Sequence, residues 1–359
     1  MSKEILLAAE EKYAEEIEEL IKKDKSPRPE GWKMSPKAVL TYICGGRAGT
    51  KDISPKYIGR KRLIEICIAT LITDRALLLI GEPGTAKSWL SEHLAAAISG
   101  DSKKIIQGSA GTTEEQIRYS WNYALLLSGG PSPQALIKSP VYRAMEEGAL
   151  VRFEEVTRCL PEVQDSLISL LSEKRVSVPE LMLDQAANKG FSLIATANTR
   201  DKGVNEMSAA LKRRFNIVVL PSPESIEDEI DIVLRRVSEL SSGFSTFAST
   251  PSEKTVSKVV TVFRELRSGM TLDRKNKIKS PTGVMSTAEA ISLLTNSMAL
   301  AGSFGNGEVQ DEDIAAGLQG AIVKNEEKDG LVWKEYLNNV MKRKGEEWRQ
   351  LYKSCSELQ

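Results

Sequence analysis

The run Gly81-Glu82-Pro83-Gly84-Thr85-Ala86-Lys87-Ser88 directly follows an apolar stretch, residues 76–80, and precedes a helical pattern carrying Trp89, Leu90, Leu94 and Ile98. Glycines at this spacing let backbone N–H groups wrap a phosphate, while a lysine answers the β/γ-phosphates and a hydroxyl serves Mg²⁺. Lys87 and Ser88 supply those two groups. Ala86 stands where a glycine is usual, and it fits as a small residue if its backbone stays helical. A second apolar stretch, 150–153, ends in Glu154 and Glu155. At such a strand end one carboxylate holds the metal's water shell and the next polarises the attacking water. Aspartate is commoner as the first acid, so Glu154 reaches one methylene further. Arg152 is an unusual residue for a strand buried on both sides. A third stretch, 191–197, ends in Asn198, whose amide suits water orientation or a γ-phosphate contact. Lys212-Arg213-Arg214 then precedes Phe215. Alone it is a solvated basic cluster; beside a neighbouring copy's nucleotide it would present an arginine to the γ-phosphate. His93, one turn into the helix after Ser88, is taken as a packing residue.

These groups need a scaffold that brings distant strand ends together. From about residue 55, apolar runs of strand length (76–80, 104–107, 150–153, 191–197 and 217–220) alternate with helical stretches, the pattern of a parallel sheet with helices on both faces. After Pro221 and Pro223 the pattern turns helical, at 224–241, 255–267, 286–301, 311–325 and 331–353. Ahead of the sheet, residues 3–23 read as an amphipathic helix with Leu6, Tyr13, Ile17, Leu20 and Ile21 on one stripe. Residues 24–54, with Pro27, Pro29, Pro36, Gly45, Gly46 and Gly49, read as a connector holding a short helix. The expected organisation is a leader at 1–54, an α/β nucleotide-binding core at 55–222 and an all-α region at 223–359.

Composition narrows the function. The 359 residues are 41% apolar and 27% charged, the profile of a globular protein. Lysine plus arginine and aspartate plus glutamate both number 49, so no net charge draws the chain to nucleic acid or an anionic membrane. Cys44, Cys67, Cys159 and Cys355 lie far apart and His93 is the only histidine, which points away from soft-metal sites and toward oxygen-bound Mg²⁺. No apolar run approaches the ~20 residues of a bilayer span, and a cytoplasmic location is expected.

Taken in order, Tyr57-Ile58-Gly59-Arg60, the 81–88 loop, Phe153-Glu154-Glu155-Val156, Ala195-Thr196-Ala197-Asn198 and Leu211-Lys212-Arg213-Arg214-Phe215 resemble the MoxR branch of the AAA+ ATPases, relatives of magnesium-chelatase ATPase subunits. The resemblance covers roughly residues 55–325. It implies a P-loop AAA+ core with a five-stranded parallel sheet flanked by helices, followed by an all-α lid. It also implies ATP and Mg²⁺ as cofactors. Ile58 and Gly59 would line the adenine pocket, and Gly81, Glu82, Pro83, Gly84, Thr85, Ala86, Lys87, Ser88 and Trp89 would form the nucleotide cradle. Ser88 and Glu154 would serve the metal, Glu155 would be the catalytic base, Asn198 sensor 1 and Arg214 the arginine finger. Insertions are implied within 119–140, reaching toward a ring pore, and within 175–189. A sensor-2 arginine is usual at the start of a lid helix, but this chain has Ser280-Pro281-Thr282 and Ser286-Thr287-Ala288 there, with Lys279 and Arg274 as the nearby cations.

The function implied is an ATP hydrolase working as a ring, a hexamer by resemblance, that remodels or loads a partner such as a von Willebrand A-domain protein. Two alternatives differ in class. One is a nucleotide-gated scaffold with little turnover, favoured by the missing sensor-2 arginine and by Glu154. The other is a DNA-directed AAA+ motor, disfavoured by the balanced charge.

Overall fold

In the computed structural model, which describes residues 7–198, 205–241 and 247–358, the apolar stretches form β1 (Ala76–Gly81), β2 (Ile105–Gln107), β3 (Leu150–Glu154), β4 (Ser192–Asn198) and β5 (Phe215–Val219). They make one sheet in the order β5-β1-β4-β3-β2, with every neighbouring pair parallel. Successive side chains leave a strand on opposite faces. Leu77 and Leu79 therefore enter one core with Ile64, Leu90 and Leu94, while Ala76 and Leu78 enter the other with Val151, Phe153, Tyr142 and Leu167. Leu77, Leu78 and Leu79 are at most 1% exposed. Burial of each contributes about 1.5–3 kcal/mol, which pins β1 and the loop it feeds. β5 begins two residues earlier than its apolar run, because Phe215 and Asn216 already pair with Ala76 and Leu77.

The amphipathic N-terminal segment is broken at Tyr13 into helices Ala9–Lys12 and Ala14–Lys23, rather than continuous. Tyr13 has φ −110° and ψ 25°, off helical geometry, and its ring is buried against Tyr42 and His93. Packing of that one side chain outweighs helix continuity. The start of the expected helix, including Leu6, lies outside the described residues. The connector holds the expected helix, Pro36–Cys44, capped by Ser35. It also holds an antiparallel hairpin, Gly46–Ala48 with Lys51–Ile53, for which the connector's sequence gives no signal. Both insertions are hairpins: Tyr119–Trp121 with Leu136–Lys138, and Arg175–Val178 with Leu183–Ala186. His93 is fully buried, its Nδ1 2.9 Å from the Tyr42 hydroxyl, as a packing residue should be.

The chain divides into two compact units, the first being Met1–Glu82 with Ala86–Pro221 and the second Ser222–Gln359 with Pro83–Thr85. Among the described residues the second unit has helices Ile226–Ser241, Glu253–Ser268, Thr287–Phe304, Asp311–Ile322, Glu326–Asn339 and Arg349–Glu357, and no strand. Val233, Phe263, Leu294, Leu318 and Trp333 centre its core. Trp333, Tyr336 and Trp348 are core residues. The single helix expected over 331–353 is interrupted. It stops at Asn339, and Gly345 takes φ 102°, a conformation that only glycine adopts cheaply, before the final helix. Glu229, fully buried, accepts hydrogen bonds from Arg264, Arg267 and Thr287, so its charge is paired on several sides. Among the described residues no helix is long and apolar enough to cross a membrane.

Candidate active site

Parallel register carries the singled-out residues to one end of the sheet. Asn198, last in β4, pairs with Gly81 at the end of β1, so the two backbones lie one strand spacing apart, about 4.8 Å. β3 lies on the other side of β4, with Phe153 opposite Ala195. Glu154 therefore ends beside Thr196, and Glu155 follows immediately. Ligands of open α/β sheets bind at these carboxyl ends.

The helix Lys87–Ser99 starts where β1 stops. Leu90, Leu94 and Ile98 together with Ala95, Ala96 and Ala97 bury it on nearly every side, and Ala86, the residue before it, offers no side-chain cap. N–H groups at such a helix start suit an anionic phosphate. Lys87 is buried and donates to the Gly81 and Glu82 carbonyls at 3.0 and 2.8 Å, folded over its own loop. Ala86 does not keep the helical backbone expected of it. Its φ of 64° and ψ of 25° are left-handed, the conformation for which glycine is usual at this place. Trp89 Nε1 donates to the Lys56 carbonyl at 2.7 Å, and the Lys56 and Tyr57 amides both donate to the Ile43 carbonyl. Ile58 and Gly59 thus follow a segment tied to the phosphate-loop helix on one side and to the helix Pro36–Cys44 on the other. Ile58 is half-buried and Gly59 exposed.

Glu154 is 3% exposed and accepts four hydrogen bonds. Its Oε2 takes Ser88 Oγ at 2.6 Å and Thr196 Oγ1 at 2.7 Å; its Oε1 takes Ser91 Oγ at 2.5 Å and an Arg152 guanidinium nitrogen at 3.0 Å. A carboxylate that far from water is tolerated because every lone-pair direction is answered and a cation stands beside it. Arg152, the misfit of the sequence, is that cation. Glu155 has a left-handed backbone, φ 54°, and its amide donates to Thr196 Oγ1 at 2.9 Å. Its carboxylate is about a third exposed and pairs with Arg158. Gly108 closes the site from β2. Its amide donates to the Glu154 carbonyl at 2.7 Å, and a Cβ there would stand 2.4 Å from the Glu155 carbonyl oxygen.

A magnesium-bound nucleoside triphosphate suits this donor set. The uncapped helix start fits phosphate, and Ser88 held against the buried Glu154 fits a hard oxygen-seeking cation. Arg214 is placed elsewhere. It precedes Phe215, which pairs with Ala76 at the start of β1, five residues or about 17 Å along the strand from Gly81. There its guanidinium donates to Ser172 Oγ and the Ala210 carbonyl. Of the sensor-2 substitutes, Lys279 is paired with Glu335 at 2.9 Å, and Arg274 sits in a turn with φ 58°.

Sequence reasoning missed Ser91, Thr196 and Gly108. Ser91 lies three residues after Ser88 on one helix face, and Thr196 two before Asn198 on one strand face, so periodicity carried both signals. Gly108 carried none, because its role depends on how β2 meets β3.

Comparison with known proteins agrees with this geometry. Residues 76–215 match the AAA domain of the dynein-related subfamily, and 227–359 match the C-terminal domain of YehL-like AAA+ ATPases. The YehL protein of Escherichia coli (strain K12) is 40% identical over 350 residues, 96% of this chain and 95% of its own. Protein SH1500 of Staphylococcus haemolyticus is 27% identical over 157 residues, 40% of this chain and 55% of its own. The structure of NtrX from Brucella abortus in complex with ADP is 12% identical with a TM-score of 0.43, over 71% of this chain and 53% of that one, a likeness too loose to carry weight. With both units matched and one relative similar from end to end, the chain belongs to the YehL-like AAA+ ATPases.

Proposed function

We propose that the chain hydrolyses Mg-ATP at the β1–β4–β3 strand ends, in a ring whose sites are completed by the neighbouring copy, and uses the cycle to remodel a partner protein. The observation that carries this is the convergence of Lys87, Ser88, Glu154, Glu155 and Asn198 from separate segments at one end of the sheet. Lys87 and the uncapped helix start bind the phosphates. Ser88 and Glu154 would hold Mg²⁺, which when bound would offset the charge of the phosphates. Glu155, exposed enough to meet water, takes its proton as the water attacks. Asn198 orients that water or the γ-phosphate, and Ile58 and Gly59 border the base. Arg214 acts on the nucleotide of the adjoining copy. A hexamer, MoxR-type chemistry and a von Willebrand A-domain client follow from the resemblance alone, and a cytoplasmic setting from the sequence composition.

A nucleotide switch with little turnover is the second reading. It is favoured by the Glu155–Arg158 ion pair, which occupies the carboxylate that must act as base. Steady-state ATP hydrolysis of wild type, Lys87→Ala and Glu155→Gln separates the two. Hydrolysis predicts wild-type turnover with both variants reduced by a hundredfold or more. Wild-type turnover no greater than that of Glu155→Gln would give the switch.

A further inference from the structure

We propose that Arg152 is a positioning residue of the metal site: it fixes one oxygen of Glu154 so that the other is held on Ser88. The inference rests on the Mg-ATP reading above and deepens it.

Arg152 lies within β3 and is 7% exposed. Its five N–H groups form a rigid fork, and four hydrogen bonds are made from it. Nε donates to Ser91 Oγ at 3.0 Å, one terminal nitrogen to the Ser102 carbonyl at 3.1 Å, and the other to the Ser88 carbonyl at 3.1 Å and Glu154 Oε1 at 3.0 Å. One side chain thereby links the segment before β2, the first turn of the phosphate-loop helix and the acid two residues ahead on its own strand face. The two carboxylate oxygens are divided by this arrangement. Oε1 belongs to Arg152 and Ser91, which face the scaffold, and Oε2 to Ser88 and Thr196.

A glutamate has one more rotatable bond than the commoner aspartate. Free, it would spread its carboxylate over several rotamers and seldom present it to a cation at Ser88. Anchoring Oε1 removes that freedom. The same guanidinium holds the Ser88 carbonyl, so the hydroxyl that would ligate the metal and the acid that supports it are set by one group. Partners one step beyond the ligands typically govern metal affinity by 10–100-fold.

The test compares binding of a fluorescent, non-hydrolysable ATP analogue with and without Mg²⁺, in wild type, Arg152→Met and Arg152→Lys. Lysine keeps the buried cation but not the fork. In both variants metal-free binding should stay within about twofold of wild type, since Lys87 keeps its own contacts to the Gly81 and Glu82 carbonyls, while the gain on adding Mg²⁺ falls about tenfold or more. A variant that keeps metal-free binding and the full wild-type gain would overturn the proposal. So would a parallel fall of both affinities in both variants, the mark of a merely structural arginine. A wild-type chain that gains nothing from Mg²⁺ defeats the parent reading and this one together. A gain in wild type matched by Arg152→Met defeats this inference alone.

Discussion

Ala86 is a residue whose local conformation and whose chemistry disagree. Its left-handed backbone, φ 64°, costs an L-residue roughly 1–2 kcal/mol, yet the turn it makes is what aims the first N–H groups of the following helix. Glycine would adopt the same turn without that strain and would lose about 0.4–1 kcal/mol through the greater freedom of its unfolded chain. Ala86→Gly should therefore stabilise the protein by about 0.5–1 kcal/mol net, read as a higher urea midpoint at unchanged slope. A lower midpoint would show that the Ala86 methyl makes contacts worth more than the strain. Lys87, Ser88 and Glu155 stand out as candidates in the sequence because their residue types follow one another along the chain in a fixed order. The handedness of Ala86 was not, since sequence names the side chain and leaves φ to the surrounding loop.

Among the elements, legibility followed hydrophobic contrast. β1, β3 and β4 are mostly apolar and almost wholly buried and were located to within a residue, whereas the hairpin at Gly46–Ala48 and Lys51–Ile53 has only Ala48 and Ile53 buried and gave no contrast to find. Helix breaks at Tyr13 and after Asn339 escaped because a 3.6-residue period does not register a single residue, Tyr13 or Val340, leaving helical geometry. The same limit hid Gly108, whose importance lies in the approach of β2 to the turn after β3. The three nearest atoms, the Glu155 carbonyl oxygen at 2.4 Å from an added Cβ and the Glu154 carbonyl oxygen and Glu155 carbonyl carbon at 2.9 Å, are backbone and cannot swing aside. Gly108→Ala should therefore push the β3 end outward and misplace Glu155, while the phosphate loop on β1 is spared. The expected outcome is a fall in kcat of about 10–100-fold with nucleotide affinity nearly kept. Gly111→Ala, where a Cβ would meet only Ser109 Oγ at 3.9 Å, is the matched control and should behave as wild type. Equal activity in the two variants would mean that the strand end yields without moving the base.

At the scale of the whole molecule, the place of Arg214 bears on whether the proposed reaction needs a second chain. The sheet holds it at the end of β1 opposite the phosphate loop, about 17 Å away along the strand, and its guanidinium is engaged by Ser172 and Ala210 on that side. An arginine side chain extends less than half that distance, so Arg214 cannot reach a γ-phosphate held by Lys87 of the same chain. In the proposed ring, head-to-tail association would bring the Arg214 end of one copy to the nucleotide end of the next, and repetition of that contact would close a ring where its rotation returns to the start. Glu155→Gln and Arg214→Ala should then each abolish most turnover while damaging different halves of a shared site, since fingers of this kind contribute 10³–10⁵ in rate. Mixing the two inactive proteins pairs an intact base with an intact finger at about one interface in four in a randomly assembled head-to-tail ring. Activity should thus reappear on mixing, to a level of that order if each interface works independently, and should grow with total protein concentration as assembly proceeds. Two inactive proteins that stay inactive together, while a wild-type control exchanges subunits, would place Arg214 outside the reaction. Full activity of Arg214→Ala alone, flat with concentration, would mean that a single chain holds everything hydrolysis needs.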